Sequence, residues 1–289
     1  MSSDNILDKV KKLRELTGVG FKDCKNAIDE NNGDIDKSIE FLRKKGIAKA
    51  NKKMERVAAD GLVSLNEKKN SYSIIEINCE TDFVAKNNEF IKFVEDVSAI
   101  SLQNLGKMEK ILDSEMRNKK KVKDNLVALI SKIGEKITLR RSGFASSENL
   151  VNFSYVHSSV KENLGKIGVI VSLKTKEKNN EIMNFGKQLA MQVAALAPIS
   201  IDEKDLDKDI IKKEKEIIID ELKNSGKKPE IANKIAEGKL KKFIAENTLL
   251  NQDWVMDPKK KVKDVLKEVA GKDKIEVIKF IRFKVGEGV

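Results

Sequence analysis

The sequence predicts an α+β fold, and three observations lead there. Apolar residues recur at helical spacing through the first 46 residues, then switch to strand alternation near residue 61. After that switch the order strand–strand–helix–strand occurs twice, the mark of a duplicated α+β core with antiparallel sheets. A densely charged stretch at about 202–246 carries helical apolar spacing on both sides of a Ser-Gly turn, which fits a protruding helical hairpin.

The first unit, 1–56, is helical. Ser3 or Asp4 can cap a helix with Ile6, Val10 and Leu13 on one face, and Thr17-Gly18-Val19-Gly20 ends it. A second helix carries Phe21, Cys24 and Ile28. Asn31-Asn32-Gly33 makes a tight turn, and Asp34 can cap a third helix with Ile35, Ile39 and Leu42, which Gly46 can close. Three short helices with one shared apolar face are marginal alone and suited to presenting a face to a partner. Residues 47–60 are basic and weakly apolar, as in a linker that can be helical.

Residues 57–145 form the first core half. Residues 61–79 read as two strands around a polar hairpin, Asn66 to Asn70. In the second strand Ser73, Ile75, Ile77 and Cys79 alternate with Tyr72, Ile74, Glu76 and Asn78. A helix follows Thr81-Asp82-Phe83, with Phe90, Phe93, Val94, Val97 and Ile100 as its stripe. Beyond a lysine-rich stretch, Leu126, Leu129, Ile130 and Ile133 mark a short amphipathic helix, and 136–144 a third strand. The second half, 146–289, repeats the order: strands at 152–157 and 166–173, a helix at 181–196 with Ile182, Phe185, Leu189, Val193 and Leu196 inward, and a closing strand at 275–285. In the inserted hairpin Ile210, Ile217 and Leu222 precede Ser225-Gly226, and Ile231, Ile235 and Phe243 follow. Glu214 falls in the seam, so a long coiled coil is not expected.

Composition narrows the function classes. The 289 residues are 40% hydrophobic and 36% charged, a globular balance. The longest apolar runs fall short of the ~18 residues needed to cross a bilayer, and the first residues lack an export pattern, so a cytosolic location is expected. The net charge of +11 points to nucleic acid, to an acidic protein partner, or simply to a solvated lysine surface. Only seven of the 57 basic residues are arginine, the usual fork for phosphates and base edges. Cys24 and Cys79 have no metal spacing and read as small buried hydrophobes, with a reactive thiol as the alternative. His157, the one histidine, reads as a structural or interface residue.

Enzyme motifs are missing. No glycine-rich loop precedes a helix in the way a phosphate cradle requires, no nucleophile elbow occurs, and no acid pair stands out from the 46 acidic residues. No catalytic, metal-ligating or cofactor-binding set is therefore expected. One locus differs: within Asn78 to Lys86 a strand ends and a helix begins. Thr81 or Asp82 can cap that helix and Phe83 can staple it. Alternatively, a carboxylate and an aromatic ring stand together on a stiff corner, placed to enter a partner's pocket beside its metal or phosphate. Burying a phenylalanine is worth roughly 1.5–3 kcal/mol, enough for a binding hot spot.

On NCETDFVAKN (78–87), and in order on the N-terminal stretch from Val10 to Gly46, VAADGLV (57–63), ALISKIGEKITLRR (128–141), KIGVIVSL (166–173), QLAMQVAALAP (188–198), WVMDPKKKV (254–262) and IRFKVGEG (281–288), the chain resembles the elongation factor Ts family. These are guanine-nucleotide exchange factors for the translational GTPase elongation factor Tu. The resemblance implies a ubiquitin-associated-like three-helix domain before the core. It implies elongation factor Tu, GDP-bound or nucleotide-free, as partner, with no cofactor, no direct nucleotide binding, and no DNA or membrane partner. It assigns Asp82 and Phe83, flanked by Thr81 and Val84, to dislocation of the partner's Mg²⁺. Arg14, Phe21, Lys25, Ile133, Gly134, His157, Val255 and Met256 match further contacts. The family's glycine-rich turn soon after the histidine is replaced here by a longer segment, Ser158 to Leu164. The competing reading is a basic nucleic-acid-binding protein, drawing on the lysine runs 119–121 and 259–261. Aromatic residues are only 5% and scattered, so no base-stacking platform is evident.

Overall fold

The structure, a computed structural model, describes residues 3–17, 19–146, 148–176, 179–224, 229–272 and 274–289. Gly18, Ser225 and Gly226, which the sequence places in turns, lie outside the described residues.

Helices α1 (Ser3–Thr17), α2 (Phe21–Glu30) and α3 (Ile35–Lys53) pack around Val10, Leu13, Cys24, Ala27, Ile28 and Leu42. Ser3 and Asp4, the expected caps, fall inside the bounds of α1. Asp34 caps α3 as expected, accepting from Lys37 N at 3.0 Å. Two expectations fail here. Phe21 opens α2 after Gly20 and stays 44% exposed, outside the bundle core. Gly46 does not close α3, which runs on to Lys53. Its missing side chain instead lets α3 approach Ser131 of α7 (Val122–Ile133).

The hairpin of β1 (Asp60–Lys68) and β2 (Ser71–Cys79) is tighter than the sequence reading placed it. Lys69 and Asn70 both adopt left-handed backbone (φ 51° and 59°), the two-residue turn whose twist matches paired strands. With β3 (Ile137–Ala145) and the short β5 (Leu164–Gly165) these strands form a sheet in the order β3-β2-β1-β5. After α4 (Asp82–Ala85) come α5 (Asn88–Gln103), α6 (Met108–Asp113) and α7. Phe90, Phe93, Val94 and Val97 of α5 pack on Ile75, Ile77 and Cys79. The opposite face of β2, with Tyr72 and Ile74, joins Ile170 and Phe283 of the second half in a shared core. The alternation in β2 therefore marks two buried faces, not one buried and one wet.

The second half pairs β4 (Val151–His157), β6 (Ile167–Lys174) and β9 (Glu276–Lys284) in the order β4-β6-β9, with the second strand central as in the first half. α8 (Asn180–Leu196) lays Ile182, Phe185, Leu189 and Val193 on this sheet. Leu196, expected inward, is 44% exposed, because the helix ends at left-handed Ala197 and its last turn carries Leu196 to the surface. The hairpin of α9 (Lys208–Asn224) and α10 (Pro229–Asn247) closes on Ile218, Leu222 and Ala236. The expected seam residues Ile210 and Ile217 face solvent. β7 (Asp253–Trp254), β8 (Asp257–Lys261) and α11 (Val262–Ala270) complete the half, with Trp254 stacked on Phe185 at 5.7 Å.

A strap after β9 ties the halves together. Gly286 has φ 73°, and a Cβ there would collide with the Ala59 carbonyl. Its N–H donates at 2.9 Å to Glu76, a fully buried carboxylate that also meets Arg140 at 3.1 Å and Arg141 at 2.5 Å. Burial opposes ionisation of Glu76. The Gly286 N–H, the Asn78 amide and Arg141 outweigh it and hold the carboxyl below its usual range. Among the described residues, no helix is long and apolar enough to cross a membrane, and no cluster of His, Cys, Asp and Glu is arranged to hold a metal.

Candidate functional site

The corner at 80–87 is built from the inside. Strand β2 ends at buried Cys79, whose thiol donates to Thr81 O at 3.2 Å. Thr81 is extended (φ −129°, ψ 156°) and caps α4, its hydroxyl accepting from Val84 N at 3.4 Å. Asn87 then caps α5 through Glu89 N and Phe90 N at 2.8 and 3.3 Å, so two capped helices meet in seven residues. Val84 and Ala85 are buried in the first core. Phe83, on the other side of the same turn, is 80% exposed. The ring therefore does not staple the helix. Val84, expected as a flanking contact, anchors the corner from within.

Asp82 is half exposed and pairs with Lys86 at 2.8 Å. The Lys86 ammonium beside it holds its carboxyl below the usual range, so it is an anion at neutral pH. Burial pushes the Cys79 thiol up to about 12, which removes it as a nucleophile.

The corner is buttressed by residues that sequence reasoning missed. Glu135 accepts from Glu80 N, Thr81 N and Thr81 Oγ1. Lys136 N donates to Glu80 Oε1 at 2.6 Å, and Arg56 reaches the same carboxylate at 3.2 Å. Burial opposes ionisation of Glu80, but the Lys136 N–H and Arg56 prevail and keep its carboxyl low. No local pattern marks Glu135, one acid among 46.

The other expected contacts lie at several surfaces. Ile133 is half-buried against the first core, and Gly134 ends α7 in left-handed backbone (φ 88°), next to Glu135. This turn and the corner are brought together. Arg14, Phe21 and Lys25 are exposed on the N-terminal bundle. His157 is exposed at the end of β4, its Nδ1 3.0 Å from Tyr155 Oη. Val255 and Met256, 42% and 47% exposed, form the tip between β7 and β8.

Comparison with known proteins shows the family. The profile of the family described as Elongation factor TS matches residues 80–287. The chain is 42% identical over 283 residues to Elongation factor Ts of Xanthobacter autotrophicus, covering 97% of this chain and 92% of that protein. It is 42% identical over 286 residues to Elongation factor Ts of Bartonella tribocorum, and 39% identical over 283 residues to that of Parvibaculum lavamentivorans, with the same coverage. With the profile running from the corner through the second sheet to the strap, and relatives about 40% identical over nearly the whole chain, the chain belongs to the elongation factor Ts family.

Proposed function

We propose that this chain promotes release of GDP from elongation factor Tu in the cytosol, acting by binding and not as an enzyme. The observation that carries the reading is the Phe83 ring, 80% exposed on a turn whose next residues are core. A ring held outward can enter a partner's cleft, and the Asp82 carboxylate beside it can disturb the surroundings of a bound Mg²⁺. Such a factor must bind the nucleotide-free GTPase more tightly than the nucleotide-bound one, and linkage then weakens nucleotide by the same factor.

In this reading the unit 1–56 docks through Arg14, Phe21 and Lys25. The core half 57–145 presents the corner with Ile133 and Gly134. The half 146–289, with its hairpin at about 202–246, adds His157, Val255 and Met256. The net charge of +11 speeds encounter with an acidic partner and makes that encounter salt-sensitive. The test follows labelled GDP leaving elongation factor Tu by stopped flow on addition of the full chain, with affinity capture with and without excess GDP·Mg²⁺. Faster release, and a complex that nucleotide dissociates, are expected. Unchanged release and no complex would refute the reading.

A further inference from the structure

Helix α4 has four residues and cannot hold the corner by itself. Its fixed direction comes from across the sheet. Glu135, in the loop between α7 and β3, takes both corner amides on one oxygen: Glu80 N and Thr81 N each donate to Oε2 at 3.1 Å. Thr81 Oγ1 donates to the other oxygen at 2.7 Å. The bonding is reciprocal, since Lys136 N donates back to Glu80 Oε1 at 2.6 Å. Lys136 Nζ then donates to Met54 O and Arg56 O at 2.7 and 2.8 Å, and Lys53 Nζ donates to Gly134 O. Three stretches of chain, the end of α3, the corner and the 133–136 loop, are thus bonded at one junction.

We propose that Glu135 is a positioning residue that locks the corner at 81–84 and the turn at 133–134 into a single wedge, aiming Phe83 before any partner arrives. This rests on the exchange reading above and deepens it. Docking a loose corner would carry the cost of ordering it, whereas a braced one does not. A carboxylate suits the task, because it accepts from two amides and a hydroxyl at once, and such bonds to a charged acceptor are the stronger kind. Glutamine keeps one oxygen for both amides and turns its NH₂ to Thr81 Oγ1, which can accept. Alanine keeps none of the three bonds.

The test uses the full chain with Glu135→Ala and Glu135→Gln, measuring GDP release from elongation factor Tu over a range of factor concentrations. Amide hydrogen exchange at Glu80 and Thr81 is measured in parallel. Glu135→Ala should lower the maximal release rate about tenfold and move the half-saturating concentration less than about threefold, while both amides exchange faster. Glu135→Gln should recover the rate to within about threefold. A wild-type maximal rate in Glu135→Ala, or an equal loss in both variants, overturns the proposal. If Glu135→Ala does not fold, wild-type exchange carries the test: unprotected Glu80 and Thr81 amides overturn the brace. A wild-type chain that fails to accelerate release refutes the exchange reading instead, and the amide measurement then still judges the brace.

Discussion

Replacing Phe83 with alanine separates folding from exchange. The ring is 80% exposed, so its loss removes little from the folded chain. Exposed substitutions stay within about 0.5 kcal/mol, which for a chain of this size is about 2 °C in melting temperature. Docking is another matter. Full burial of a phenylalanine is worth roughly 1.5–3 kcal/mol, and four-fifths of that, about 1.2–2.4 kcal/mol, is still to be gained when a partner covers the ring. At about 1.4 kcal/mol per decade, the mutant should release GDP from elongation factor Tu roughly 8- to 60-fold more slowly at a given concentration. Stopped-flow release and thermal unfolding, run on the same preparations, read the two quantities. A mutant as fast as the wild type refutes the wedge. A mutant that melts many degrees lower refutes an outward ring.

The neighbouring residue should behave in the opposite way: Val84→Ala removes two buried methyl groups and should cost about 2 kcal/mol of stability, seen as a lower midpoint in urea. Glu76→Gln should destabilise by about 3 kcal/mol, since it strips charge from a buried carboxylate facing two arginines. Its pH profile follows from the lowered carboxyl. The stabilisation is complete above the unfolded value of about 4.3 and is lost as pH falls through the lower native value, so the wild type should weaken there and Glu76→Gln should weaken less. Gly286→Ala, at φ 73° and against the Ala59 carbonyl, should cost about 1–3 kcal/mol and show faster amide exchange at residue 286, whose N–H meets Glu76.

Much of the fold was legible because periodicity reports local burial. Val10 and Leu13 in α1, the Phe90–Val97 stripe in α5, and the strand-to-helix change at Thr81 all stood in the sequence and in the structure. What escaped depends on contacts between distant segments. Glu76 stood in the sequence only as one position of an alternating strand; β2 is covered on both faces, and the partners of Glu76, Arg140 and Arg141, come 64 and 65 residues later. Glu135 is likewise 54 residues from the hydroxyl it holds. The hairpin seam was misplaced by one residue because Ile217, Ile218 and Ile219 offer adjacent registers, and only packing against α10 chooses Ile218. Helix α6, of six residues, is too short for a clear period, whereas α11, of nine, carries one in Val262, Val265, Leu266 and Val269 that the sequence reading missed.

The strap has a consequence for the newborn chain. The N–H that completes the shell of Glu76 is made 210 residues after it. At ribosomal speeds of about 5–20 residues per second, that donor arrives roughly 10–40 s later. Once Arg140 and Arg141 have emerged the central strand leans on them, while the far side of its sheet awaits Ile170 and then Phe283. Synthesis order thus leaves the shared core open to chaperones and proteases until the closing strand emerges, and a ribosome stalled before that strand would present them with an unfinished sheet.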